Sequence, residues 1–157
     1  MPSRMGTLRR LAGLYGVVER MRLGELELAL RALQEAEEAI GVQQRAQRMA
    51  GCDGREALRT SDAMSWSVAE MQGETATWRR FQLEELRVSR TDERNESERV
   101  YLRSRVESEQ VQHVLCEALR DFEVKRVRRE QAESDDRFLA RRRWKESRSL
   151  TVDLEDG

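Results

Sequence analysis

From Glu74 to Arg148 the chain contains neither glycine nor proline. These two residues most readily interrupt a helix, one through backbone entropy and the other through a missing N–H and a steric clash. Charge is spread along nearly the whole stretch, which ends in Asp135-Asp136-Arg137-Phe138-Leu139-Ala140-Arg141-Arg142-Arg143-Trp144. A single very long α-helix is the expectation, with the preceding residues as its partner.

The composition limits what else the chain can be. Its 157 residues suit one domain. Charged residues are 38% and aromatics only 5%, so a thick globular core has too little apolar bulk. Disorder is the rival for such a composition, but the apolar residues recur at helical spacing, which favours long helices or a coiled coil. Net charge is -1, from 29 basic and 30 acidic residues, so global charge predicts no nucleic-acid or membrane partner. The N-terminus offers no signal-peptide core, and no run approaches the roughly 20 apolar residues of a membrane span. A cytoplasmic protein without membrane insertion is expected.

Before the long helix, Leu8, Leu11, Tyr15 and Val18 step by three and four residues, as do Leu26, Ala29, Leu33, Ala36 and Ile40. These are seam positions of a heptad repeat, with a one-residue slip between Val18 and Leu26. Gly13, Gly16, Gly24 and Gly41 soften this first helix; close approach of a partner and plain tolerance both account for them. Gly51-Cys52-Asp53-Gly54 is a first breaker, and Ser67-Val68-Ala69-Glu70 has the spacing of a capping box. The predicted organisation is an all-α, antiparallel two-helix coiled-coil hairpin. Its first helix covers about 4–59, its tip about 60–66, its longer second helix about 67–148, and an acidic tail 149–157.

Thr60–Trp78 contains no lysine or arginine. Met64, Trp66, Val68 and Met71 there form either turn packing or an exposed binding knob. The polar run Ser89–Arg99 reads as a solvated helix with intrahelical ion pairs, after which Val111, Leu115, Ala118 and Phe122 restore the seam. Residues 1–22 carry five arginines and one glutamate, and residues 123–149 ten basic and six acidic residues. Antiparallel pairing brings both segments to one basic end. It also separates Cys52 from Cys116 by roughly 60 Å, from a rise of 1.5 Å per residue, too far for an intramolecular disulfide.

The residue types that catalysis needs are not arranged for it. His113 is the only histidine and has no second ligand at i+4. There is no glycine-rich phosphate loop and no nucleophile with a histidine base, so neither enzymatic activity nor a cofactor nor a metal is expected. Arg141-Arg142-Arg143-Trp144-Lys145 can contact phosphates, but the run is short and follows two aspartates, which disfavours nucleic acid.

The segment from Arg126 to Trp144, with Glu133-x-Asp135-Asp136-Arg137-Phe138 and flanking arginines, resembles the C-terminal helix of the FliJ/YscO family of type III secretion. The resemblance implies a hairpin similar to the central stalk of rotary ATPases. It implies binding to the pore of a hexameric secretion ATPase, contact with the export gate, and a part in handling export substrates or their chaperones at the base of the secretion apparatus. Carried onto this chain, it makes Arg126, Arg129, Arg137, Arg141, Arg142 and Trp144 the ring-contact candidates, aided by Arg9 and Arg10. The alternative is a coiled-coil escort or scaffold working through Met64, Trp66, Val68 and Met71.

Overall fold

Two helices packed antiparallel make up the protein. The computed structural model describes the backbone of residues 4–155 and the side chains of residues 4–146. Helix α1 is Arg4–Arg59 and the longer α2 is Ala63–Glu155, with no strand among the described residues. The chain divides into two units: Gly13–Ser108, and Met1–Ala12 together with Glu109–Gly157.

The reversal is tighter than the sequence suggests and occupies only residues 60–62. Ser61 adopts a left-handed conformation with φ 55°. Its N–H donates to the Leu58 carbonyl at 3.3 Å, and the Asp62 N–H donates to the Ala57 carbonyl at 2.9 Å. These two bonds form a Schellman motif, which satisfies carbonyls left over at the end of α1. Asp62 then starts α2. Its carboxylate accepts from the N–H groups of Met64 and Ser65, both at 3.1 Å, and from the Ser65 hydroxyl at 2.5 Å. An aspartate in the cap position stops one helix and starts the next within three residues. The expected capping box at Ser67–Glu70 therefore lies inside α2 rather than at its start. At the other end, α2 continues to Glu155 through most of the predicted tail, of which Asp156 and Gly157 lie outside the described residues.

In the Gly13–Ser108 unit the burial pattern reveals the seam. On α1, Tyr15, Glu19, Arg22, Leu26, Ala29, Leu33, Ala36, Ile40, Gln43, Gln47, Ala50, Gly54 and Ala57 are buried or half-buried. They alternate steps of four and three without interruption. The predicted slip does not exist: Val18 lies off the seam and is exposed, while Glu19 and Arg22 hold the positions that keep the repeat in phase. A polar residue can occupy such a position because its aliphatic stem packs while its charged end reaches water, and Arg22 does so while paired to Glu25 at 2.8 Å.

Helix α2 repeats the pattern. Ala69, Gly73, Ala76, Arg80, Leu83, Arg90, Arg94, Ser97, Tyr101, Ser104 and Ser108 face inward to varying degrees. The polar run of residues 89–99 thus supplies seam residues rather than a wholly solvated segment. Its intrahelical ion pairs are present, with Arg90–Glu93 at 2.7 Å and Arg94–Glu98 at 3.2 Å. The register is set near the turn. A β-carbon on Gly54 would lie 3.7 Å from that of Ala69, and one on Gly73 would lie 3.7 Å from that of Ala50. Between these layers and the next, Gln47 donates to Thr77 at 2.6 Å and accepts from Arg80 at 3.0 Å. These polar bonds join the two helices at this one alignment.

Among the described residues the buried apolar side chains are Ile40 and the alanines 36, 50, 57, 69 and 76. All three tryptophans and all three phenylalanines are exposed. Ser104 and Ser108 are buried with hydroxyls that have no hydrogen-bond partner.

In the second unit, Met5, Leu8 and Ala12 of α1 and Val111, Leu115, Ala118 and Leu119 of α2 are half-buried. Leu11, expected on the seam, is exposed. From Arg120 to Glu146 every residue is exposed.

Nothing lies within 4 Å of a β-carbon built on Gly16 or Gly24, so tolerance, not close approach within the chain, accounts for them. Gly16→Ala and Gly24→Ala should each stabilise the protein by about 1 kcal/mol, the difference in helix propensity, measured by urea denaturation. A destabilised variant would show that a neighbour occupies that space.

The hydrogen bonds from Ser65 and Met64 hold the Asp62 carboxyl below its ordinary value of 3.8. A lowered pKa contributes stability above 3.8 that is lost as pH falls through the folded-state value. Asp62→Asn retains a capping oxygen but does not titrate. Its melting temperature should therefore fall less than that of the wild type between pH 5 and strongly acid solution, within the window where carboxylates protonate. Parallel curves would contradict the cap.

Candidate interaction surfaces

The predicted basic set lies in the unit made by Met1–Ala12 and Glu109–Gly157. At about 3.6 residues per turn, Arg126, Arg129, Arg137, Arg141 and Trp144 share one face of α2, while Arg142 lies on the opposite side. Three of these cations are already engaged along the helix. Arg126 pairs with Glu123 at 2.6 Å and Glu130 at 3.5 Å, Arg137 with Glu133 at 3.3 Å, and Arg142 with Glu146 at 3.0 Å. All of these pairs are solvent-exposed and worth only tenths of a kcal/mol, so a partner can exchange them at little cost. Among the described residues, Arg9, Arg10, Arg129 and Arg141 have no ion pair.

Arg9 and Arg10 are exposed beside half-buried Leu8. The packed part of α2 in this unit ends at Leu119. Arg137 follows 18 residues later, roughly 27 Å along the axis at 1.5 Å per residue. Antiparallel packing therefore brings the two arginines to the packed stretch near Leu115, but not to the Arg137–Trp144 cluster. The basic surface has two parts, a distinction that net charge per segment could not reveal. Sequence reasoning also missed Val124, Val127, Phe138 and Leu139, which are exposed on the same stretch. Their irregular spacing hid them, and only the absence of a packed neighbour shows that they are available.

The predicted apolar set lies in the Gly13–Ser108 unit. Met64, Val68 and Met71 are exposed on one side of α2, and Val68 and Met71 join Ala46, Met49 and Thr75 around an open groove between the helices. Trp66 is in phase with Ala69 and Gly73 and lies on the other side, still 40% exposed. The four residues therefore do not form one knob. Trp66 closes the end of the seam, whereas the other three continue the groove.

Both cysteines are free and exposed. Among the described residues no group of metal-type ligands is assembled, and no helix is long and apolar enough to cross a membrane. No family model matches this chain, and no curated protein or solved structure matches it.

Proposed function

We propose that this protein is a stalk-like adaptor of a type III secretion ATPase, acting by helix-face binding to the ATPase ring and the export gate. The observation that best supports this reading is the stretch Arg120–Glu146 of α2, which is exposed on every side yet built as continuous helix. In proteins most helical stability comes from packing of an amphipathic face. This stretch carries arginines and apolar residues together, the combination that forms binding hot spots when a partner removes water from both. The reading rests further on the two-helix fold and on the likeness of residues 126–144 to the FliJ/YscO family. Its place of action would be the cytoplasmic base of a secretion apparatus, and it would catalyse nothing itself.

Adding the protein to a hexamer-forming secretion ATPase from the same genome should promote hexamers and raise ATP turnover. Charge reversal at Arg137, Arg141 and Arg142 should abolish that binding, and raising salt should weaken wild-type binding, because exposed charges are screened within about 10 Å at 0.1 M. An ATPase that neither binds nor responds would refute the proposal. Binding that ignores both charge reversal and salt would remove the arginines from it.

The groove beside Met71 supports a second reading, an escort or scaffold for export substrates or their chaperones. Met71→Ala should then weaken chaperone binding while ATPase binding is retained, and Trp66→Ala, on the other side, should weaken it less. Equal losses in a pull-down from the two variants would argue against the groove.

A further inference from the structure

Within the Gly13–Ser108 unit the two halves of the α1–α2 seam are held together differently. Gly54 faces Ala69, and Ala50 faces Gly73. Counting away from the turn by alternate steps of three and four along both helices places Ile40 opposite Leu83, Leu26 opposite Ser97, Arg22 opposite Tyr101, Glu19 opposite Ser104 and Tyr15 opposite Ser108. On the turn side the buried residues are Ala36, Ile40, Ala50, Ala57, Ala69 and Ala76, all apolar, and Gln47 bonds across to Thr77 and Arg80. In the last three layers the buried residues are Ser104 and Ser108, and neither hydroxyl has a hydrogen-bond partner.

A serine or threonine in a helix has a ready acceptor in the carbonyl four residues before it. Thr75, Thr77 and Thr91 take that bond, each at 2.8 Å, whereas Ser104 and Ser108 lie buried without it. The residues that α1 sets opposite offer no compensation. Tyr15 and Glu19 are only half-buried, and Arg22 is paired to Glu25 of its own helix. A hydrogen bond left unmade in the closed seam is regained with water once the helices part, which favours the parted form by about tenfold for each hydroxyl. The same stretch of α1 is softened by Gly13, Gly16 and Gly24, and nothing lies within 4 Å of a β-carbon built on any of them.

We infer that the seam has a built-in opening: residues 15–22 of α1 part from residues 101–108 of α2 while the layers from Ala36 to Ala57 stay closed. The opening uncovers Tyr101, Ser104 and Ser108, a hydroxyl-bearing strip that the closed helices cover wholly or in part. It is a property of the free protein and does not depend on the ATPase reading.

The test uses the full chain with Cys52→Ser and Cys116→Ser and places one cysteine at either of two hidden positions. Ser108 is 1% exposed and Ala76 3%, so a thiol at either site is alkylated by iodoacetamide only when the helices part. Each rate is divided by that of the same variant unfolded in urea. Ser108→Cys should then react faster than Ala76→Cys by about tenfold or more. Adding Ser104→Ala removes an unpaired hydroxyl and should slow the Ser108→Cys reaction about tenfold, leaving that of Ala76→Cys unchanged, with the same helicity by circular dichroism throughout. Equal rates at the two positions would mean that the seam opens only as a whole, and would overturn the inference. So would a Ser104→Ala variant that reacts as fast or faster, because its hydroxyl would then have had a partner in the closed form.

Discussion

Near the turn the contact between α1 and α2 is made of small residues. Alanines 36, 50, 57, 69 and 76 and glycines 54 and 73 allow the helices to approach, but they offer little apolar surface to bury. At about 25 cal/mol per Å², an alanine seam contributes far less than one of leucines. The remaining features follow from this restriction. Alignment relies on the Gln47–Thr77–Arg80 hydrogen bonds rather than on interlocking large side chains. The turn is fixed by backbone hydrogen bonds and by the Asp62 cap. Many of the larger apolar residues, among them Leu14, Met21 and Leu28, are exposed.

Such a design suits a protein whose work is binding. A thick core would hold the chain in one state but leave its helix faces polar. Here the molecule presents two surfaces of different chemistry in its two units. One is the open groove between the helices near Met49 and Met71. The other is the exposed stretch of α2 where arginines alternate with Val124, Val127, Phe138 and Trp144. Its ion pairs are exposed and intrahelical, so they support the helix in solution and yield readily to a carboxylate of a partner.

The architecture was legible because it depends on periodicity and breakers. The absence of glycine and proline after Glu74 marked the long helix, and Leu26–Ile40 and Val111–Ala118 marked the two seams. The errors have a common physical origin. Apolar residues were assigned to the seam because they are apolar, whereas phase decides. Leu11 and Val18 are exposed, and Glu19, Arg22, Arg90 and Arg94 keep the inner repeat intact. The turn at 60–62 falls within the expected 60–66, and α2 starts at 63 rather than 67 because Asp62-Ala63-Met64-Ser65 gives a less familiar cap signal than Ser67–Glu70. Of the candidate site residues, Met64, Val68 and Met71 lie on one side of α2, while Trp66 and Arg142 lie away from their groups by helical geometry that linear spacing does not display.

Hydrogen exchange across Arg120–Glu146, with the protein alone and mixed with the secretion ATPase proposed as its partner, tests the account most directly. A helix held only by exposed ion pairs opens easily, so these amides should exchange far faster than those of Ala36–Ile40 in the free protein and become protected on binding the ring. Strong protection in the free chain, or none gained on adding the ATPase, would contradict the claim that this stretch awaits a partner.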